Sequence, residues 1–241
     1  MGWQLRDLEP QAGHTVLVTG ASSGIGLAAS RALFAHGAHV VLGVRNIGRG
    51  ERAAQTFVGP GSASIIELEL SDLDQVAECA SGLFEQLDEL SAVVCNAGVM
   101  AGPFLLTTRG FERQMATNHL GHVALVSGLW PLLEASASRV VMMSSIAARA
   151  GRLSAGTTME QLLSPAPYDG RQVYSNTKQA NLLFAVELHR RCVAAASPVS
   201  VVAVHPGLSA TNLFARELEL TGHASLGRAT RLFTGLLLPS A

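Results

Sequence analysis

Charge is scarce in this chain of 241 residues. Only 15% of them are Asp, Glu, Lys or Arg, and the formal net charge is −1. That balance gives no basic surface for nucleic acid and no polybasic patch for a membrane. Cysteine is scarcer still. Cys79, Cys95 and Cys192 lie far apart and form no C-x-x-C pair, so they read as reduced structural thiols. No apolar run reaches the ~18 residues of a membrane span. The opening MGWQLRDLEP reads as neither signal peptide nor anchor, and a cytoplasmic location is expected. Repeats, low-complexity tracts and interdomain linkers are also missing. His119 and His122 are three apart, but no third ligand stands at a suitable spacing, so no metal site is expected.

Apolar residues make up 48% of the chain, enough for a large buried core in one α/β domain over 1–241. Short apolar runs at 14–18, 38–44, 63–68, 92–95, 139–143 and 199–204 read as strands. Most lack polar alternation, as strands buried on both faces do. Helical patterns fill 25–36, 49–57, 72–87, 109–134 and 171–195 between them. Strand then helix, repeated, predicts a doubly wound parallel sheet with right-handed crossovers and helices on both faces. One connection, 149–169, is too long for an ordinary link and reads as a functional loop. After residue 204 a short helix near 213–218 and an apolar stretch at 226–238 are expected, with no seventh strand.

The first strand runs into VLVTGASSGIG, with Gly20, Gly24 and Gly26 spaced G-x-x-x-G-x-G. Glycines there let a backbone approach a pyrophosphate at a helix N-terminus, where free N–H groups and the dipole favour an anion. A plain glycine-rich strand–helix turn would give the same letters. The second strand ends Val44-Arg45-Asn46, without the acidic residue that binds a free ribose 2′-hydroxyl. Arg45 favours a 2′-phosphate, hence NADP(H) over NAD(H), unless it is simply a solvated surface arginine.

Tyr174 and Lys178, in YSNTK, are four apart on one helical face. A free phenol titrates near ~10, and a neighbouring ammonium lowers that value. The pair is therefore a candidate general acid/base, though the spacing also arises by chance. The chain has only one other tyrosine, Tyr168. Ser144 and Ser145 end the fifth strand, where open α/β sheets bind ligands. They are candidates for a substrate carbonyl, or for capping a turn.

These stretches together resemble the short-chain dehydrogenase/reductases, non-extended branch, over essentially the whole chain. TGASSGIG places Gly20, Ser22, Ser23, Gly24, Ile25 and Gly26 at the family's cofactor loop, and Arg45 and Asn46 follow the second strand. CNAGVM is similar to the N-N-A-G motif, with Cys95 replacing the first asparagine and Asn96, Ala97 and Gly98 kept. TNHLGHVAL places Asn118 at the catalytic asparagine, MSS places Ser145 at the catalytic serine, and YSNTK supplies Tyr174 and Lys178. HPGLSAT looks like the segment over the nicotinamide, with Pro206 and Gly207, and Thr211 at the carboxamide. Finer stretches, among them GFERQMATNHLGHVAL and YSNTKQANLLFAVEL, look like retinol-dehydrogenase-like reductases, including soluble bacterial members. The insert 149–169 also resembles that subgroup, where it shapes the substrate pocket.

The resemblance implies a single-domain Rossmann fold with strand order 3-2-1-4-5-6 and a C-terminus truncated relative to the family. It implies hydride transfer between a nicotinamide and a carbonyl or alcohol carbon. Tyr174 would be general acid/base, Ser145 the contact to the substrate oxygen, and Lys178 the ribose contact that lowers the tyrosine pKa. Asn118 would position a relay water. Glu69, with Leu70, stands where the subgroup has an aspartate near the adenine. Leu153, Met159, Leu162 and Leu163 point to an apolar substrate, or to core. Pairing of the two long helices in such enzymes implies a homodimer or homotetramer. A non-catalytic NADP(H) sensor or scaffold, and a nucleotide-sugar epimerase, are the competing readings.

Overall fold

The computed structural model describes residues 4–163 and 166–207. Six strands make one parallel sheet: β1 (Thr15–Thr19), β2 (His39–Val44), β3 (Ser62–Glu67), β4 (Ala92–Cys95), β5 (Arg139–Met143) and β6 (Ser200–Val204). Their order is β3-β2-β1-β4-β5-β6. All five pairings are parallel, with Val16 opposite Val40 and Ala92, and Met143 opposite Val204. The expected fold and strand order are therefore observed.

The strands form because β-branched runs fill both faces of the sheet. Val16, Val18, Val40, Leu42 and Val44 face one way. Against them pack α1 (Gly24–Ala35) and α2 (Ile47–Ala54), through Leu27, Leu33, Phe34 and Ala53. Leu17, Val41, Val93, Val140 and Met142 face the other way. They meet α3 (Leu73–Gln86), α5 (Gly121–Gly128), α6 (Trp130–Ala135) and α8 (Gly170–Ala194). Cys95 belongs to this second core; burial pushes its thiol up to about 12. No disulfide joins Cys79, Cys95 or Cys192.

The pattern at 109–134 is not one helix. Thr107 N–H donates to Phe111 O and Gly110 sits at φ +78°, so a turn occupies its start. Helix begins with the short α4 (Arg113–Met115), where the Glu112 carboxylate caps the Met115 N–H at 2.7 Å. A π-helical turn follows (Ala116–Leu120), with the Gly121 N–H bonded five residues back to Ala116 O. Leu129 then separates α5 from α6, whose first turn carries Pro131, which has no N–H to donate. Periodicity alone carried the expected helix across all three interruptions.

The sheet order reverses between β1 and β4, so their carboxyl ends open a crevice, the usual ligand position in such sheets. The glycine loop after β1, the Asn96–Gly98 turn after β4 and Ser144–Ser145 after β5 all lie at that end. Insert 149–169 begins at the end of a 3₁₀ turn (Ile146–Ala150) and holds α7 (Met159–Leu163).

Candidate active site

The glycine loop is shaped by its neighbours. Gly20 (φ +68°) and Gly24 (φ +57°) adopt left-handed backbone, which glycine supplies without strain. A Cβ on Gly26 would lie 2.5 Å from Asn96 Nδ2 and 2.6 Å from Gly20 O. Gly26 thus makes room for Asn96, whose amide donates to Thr19 O at 2.9 Å. Ser23 precedes α1 in extended backbone and makes no capping bond. Asn46, Asp72 and Asp169 do cap α2, α3 and α8 with their side chains. Among the described residues no side chain caps the first N–H groups of α1, which suits a phosphate.

Arg45 is not isolated. Its Nε lies 3.7 Å from Glu69 Oε2, and its side chain is 68% exposed. Glu69 Oε1 accepts from the N–H and hydroxyl of Ser71, at 3.0 and 2.7 Å. Leu70 is buried against Gly121, where any side chain would strike the Leu70 carbonyl.

Tyr174 and Lys178 do share one face of α8, and both are buried. The Lys178 ammonium lies 5.7 Å from the centre of the Tyr174 ring. It is 3% exposed and makes one hydrogen bond, to Met143 O at 3.1 Å. Its other two protons have no acceptor among the described residues. Burial pushes its pKa down to about 8. Tyr174 packs with Met100, Ala101 and Ala147. Ser145 caps the 3₁₀ turn by accepting from the Ala147 N–H at 3.2 Å, so it sits beside this cluster with no acceptor for its hydroxyl proton among the described residues. Ser144 has a different task and donates to Lys178 O at 2.8 Å.

Asn118 lies in the π-helical turn, fully buried. Its amide pairs with the Val99 backbone in both directions, each bond 2.8 Å, and Nδ2 also reaches Thr177 Oγ1 at 3.1 Å. Oδ1 keeps one lone pair that no described residue occupies. A Cβ on Gly98 would lie 3.3 Å from that oxygen and 3.5 Å from Lys178 Nζ, so both groups border the same small gap. Asn96 and Ala97 donate their N–H groups to Thr19 Oγ1, both at 2.9 Å. Pro206 and Gly207 follow β6; Thr211 lies outside the described residues.

Sequence reasoning missed the polar groups that hold the insert. Gln172 Nε2 donates to Ala150 O, and Gln179 pairs with the Leu153 backbone in both directions. At the other end Tyr168 donates to Glu112 Oε1 at 3.1 Å and accepts from Gln114 Nε2 at 3.0 Å. Burial is the main reason the Tyr168 hydroxyl is pushed up to about 12. The only signal for these contacts was polar residues inside otherwise apolar periodic stretches. Leu153, Leu162 and Leu163 are half-buried and Met159 is exposed; none belongs to either sheet core. No cluster of three or more His, Cys, Asp or Glu exists among the described residues, and no helix there is long and apolar enough to cross a membrane.

Comparison with known proteins agrees with this geometry. The short chain dehydrogenase profile matches residues 14–157. Mouse retinol dehydrogenase 14 is 38% identical over 215 residues, which cover 83% of this chain and 63% of the mouse protein. The chain thus spans less than two thirds of that relative's length. A solved structure of an uncharacterised protein from Mycobacterium paratuberculosis superposes with a TM-score of 0.78 at 38% identity, covering 100% of this chain and 82% of the other. RhlG of Pseudomonas aeruginosa, solved as an NADP active-site complex, gives 0.68 at 26% identity over 88% and 80%. The chain belongs to the short-chain dehydrogenase family, as a retinol-dehydrogenase-like member.

Proposed function

We propose that this protein is an NADP(H)-dependent oxidoreductase that interconverts a carbonyl and an alcohol on an apolar small molecule. One observation carries the reading: the Lys178 ammonium is buried beside the Tyr174 ring with one acceptor among the described residues. A buried charge so sparsely bonded is costly unless a ligand completes it.

The cofactor, when bound, supplies or accepts the hydride. Gly20, Ser22, Ser23, Gly24, Ile25 and Gly26 receive its pyrophosphate at the α1 N-terminus, and Arg45 with Asn46 receives the 2′-phosphate. Glu69 and Leu70 border the adenine, and Asn96, Ala97 and Gly98 form the adjoining wall. Pro206, Gly207 and Thr211 belong to the nicotinamide end.

In the reductive direction the Ser145 hydroxyl donates a hydrogen bond to the substrate oxygen and stabilises its developing charge. Tyr174 donates the proton to that oxygen. Lys178 favours the phenolate and directs a free N–H to the ribose. Asn118 holds the Val99 backbone and offers Oδ1 to a water in the gap beside Gly98, from which Lys178 recovers the proton it passes on to the Tyr174 phenolate.

The apolar substrate class is supported by Phe104, Leu105, Leu106 and Met159, which are 40–62% exposed on the connections after β4 and β5. Self-association is supported by a groove between α5–α6 and α8, lined by Val126, Trp130, Phe184 and Leu188. NADPH oxidation against aldehydes and ketones of increasing chain length tests the whole reading. Turnover that improves with apolar length is expected. Tight NADPH binding without turnover of any member would make the chain a sensor or scaffold instead.

A further inference from the structure

His122 lies in the first turn of α5, fully buried, and no step above uses it. Its two ring nitrogens face different machinery. Nδ1 is 3.0 Å from the main-chain oxygen of Asn118, which can only accept, so Nδ1 carries the proton. Nε2 therefore presents a lone pair, and Thr19 Oγ1, 2.9 Å away, donates to it in preference to the longer contact with Val94 O at 3.3 Å. Having given its proton to His122, the Thr19 hydroxyl accepts from the N–H groups of Asn96 and Ala97. A doubly protonated ring could not accept from Thr19, and burial pushes His122 down to about 3.

The same Asn118 oxygen also accepts from Asn181 Nδ2 at 3.0 Å. Asn181 Nδ2 further donates to Met143 O at 3.1 Å, the oxygen that holds Lys178 Nζ. Asn181 Oδ1 accepts from His119 Nδ1 at 2.9 Å. A continuous buried chain thus runs from the end of β1, through the imidazole and the π-helical turn, to the lysine carbonyl contact. Such networks fix geometry when every member is satisfied.

We propose that His122 is a positioning residue: as a neutral Nδ1–H imidazole it fixes the Asn118 carbonyl relative to the Thr19 hydroxyl, and so registers the catalytic groups against the cofactor loop. This rests on the roles proposed for Asn118 and Lys178. The two sides of the ring separate by substitution. His122→Asn keeps a donor near the Nδ1 position but falls short of Thr19. His122→Gln reaches toward Thr19 but leaves the Asn118 carbonyl short of one donor.

Thermal midpoint, NADPH dissociation constant and kcat with an accepted aldehyde are measured for both variants and for the wild type. His122→Gln is expected to lose about tenfold or more in kcat, as sub-ångström to ångström misplacement of catalytic groups does, with NADPH affinity held within about threefold. His122→Asn is expected to weaken NADPH binding more than His122→Gln does and to retain the higher kcat. Losses in both constants that follow the thermal midpoint equally in the two variants overturn the proposal. Should neither variant fold, nitrogen NMR of the wild-type His122 ring decides. A neutral Nδ1–H tautomer from about pH 5 to about pH 8, with both ring nitrogens shifting on NADPH addition, supports it. An Nε2–H tautomer, or a ring indifferent to NADPH, overturns it. Wild-type protein that binds NADPH but reduces nothing would refute the proposed function, while the NADPH arm would still judge the Thr19 side of His122.

Discussion

Gly98→Ala asks whether the gap between Asn118 and Lys178 is used. The backbone there has an ordinary φ, so an alanine brings no conformational strain. Its methyl carbon would lie 3.3 Å from Asn118 Oδ1, 3.5 Å from Lys178 Nζ and 3.8 Å from Asn118 Cγ. Only the first contact is tight, and it needs a few tenths of an ångström. Asn118 cannot yield freely, because both ends of its amide are bonded to Val99. The packing cost is therefore at the low end of the ~1–3 kcal/mol typical of overfilled sites. For a chain of this length that is a fall of about 2–4 °C in thermal midpoint. The functional cost should be larger. The methyl takes the place of the relay water and leans on the ammonium, and a loss of about a hundredfold in kcat corresponds to about 2.7 kcal/mol. NADPH-dependent reduction of an accepted aldehyde, measured beside a thermal melt, separates the two costs. A midpoint lowered by a few degrees with kcat within about twofold of wild type would refute the role assigned to the gap.

The Lys178 ammonium is the working form and burial lowers its pKa to about 8; kcat/KM for reduction should therefore fall as pH rises through about 8, and a profile flat to about pH 10 would contradict that. Arg45→Ala should raise the NADPH dissociation constant about tenfold or more and leave that for NADH nearly unchanged, measured by fluorescence titration, since only the former carries the 2′-phosphate. Tyr168→Phe removes the donor to Glu112 Oε1, and a buried carboxylate left short of a partner costs about 1–3 kcal/mol. Its thermal midpoint should fall, and KM for the carbonyl substrate should rise more than the NADPH dissociation constant.

The sheet was readable from the sequence because its strands are continuous apolar runs with few polar residues to mark a false end. The observed bounds differ from the expected ones by at most one residue, as at Thr15–Thr19 against 14–18. Asp72 and Asp169 mark two helix starts by chemistry that letters reveal, namely a short carboxylate before an apolar pattern. The stretch 109–134 was not readable in the same way. Its apolar residues keep helical spacing through the Gly110 turn and past Pro131, so pattern outvoted the two breakers.

In the site, Tyr174 and Lys178 were legible from local spacing, whereas Asn118 became a candidate only through family resemblance. His122 was weighed only as half of a metal pair, because its partner Thr19 is 103 positions away. Nothing local tells a satisfied core histidine from a ligand. Gly26 shows the converse. The residue was read as close approach of backbone to a cofactor, and the side that a Cβ would fill is occupied by the Asn96 amide, a contact across 70 residues of chain that no local pattern reveals. Polar pairing between distant segments leaves no periodic trace, and the supports of this site are mostly of that kind.

The central claim is that Tyr174 delivers the proton in a hydride-transfer reaction. Its most direct test measures NADPH binding and carbonyl reduction side by side in the wild type and in Tyr174→Phe. The account predicts unchanged NADPH affinity and loss of at least about a thousandfold in kcat, within the ~10²–10⁴ that general acid–base groups contribute. A phenylalanine variant that still reduces its substrate at a near-normal rate would contradict it.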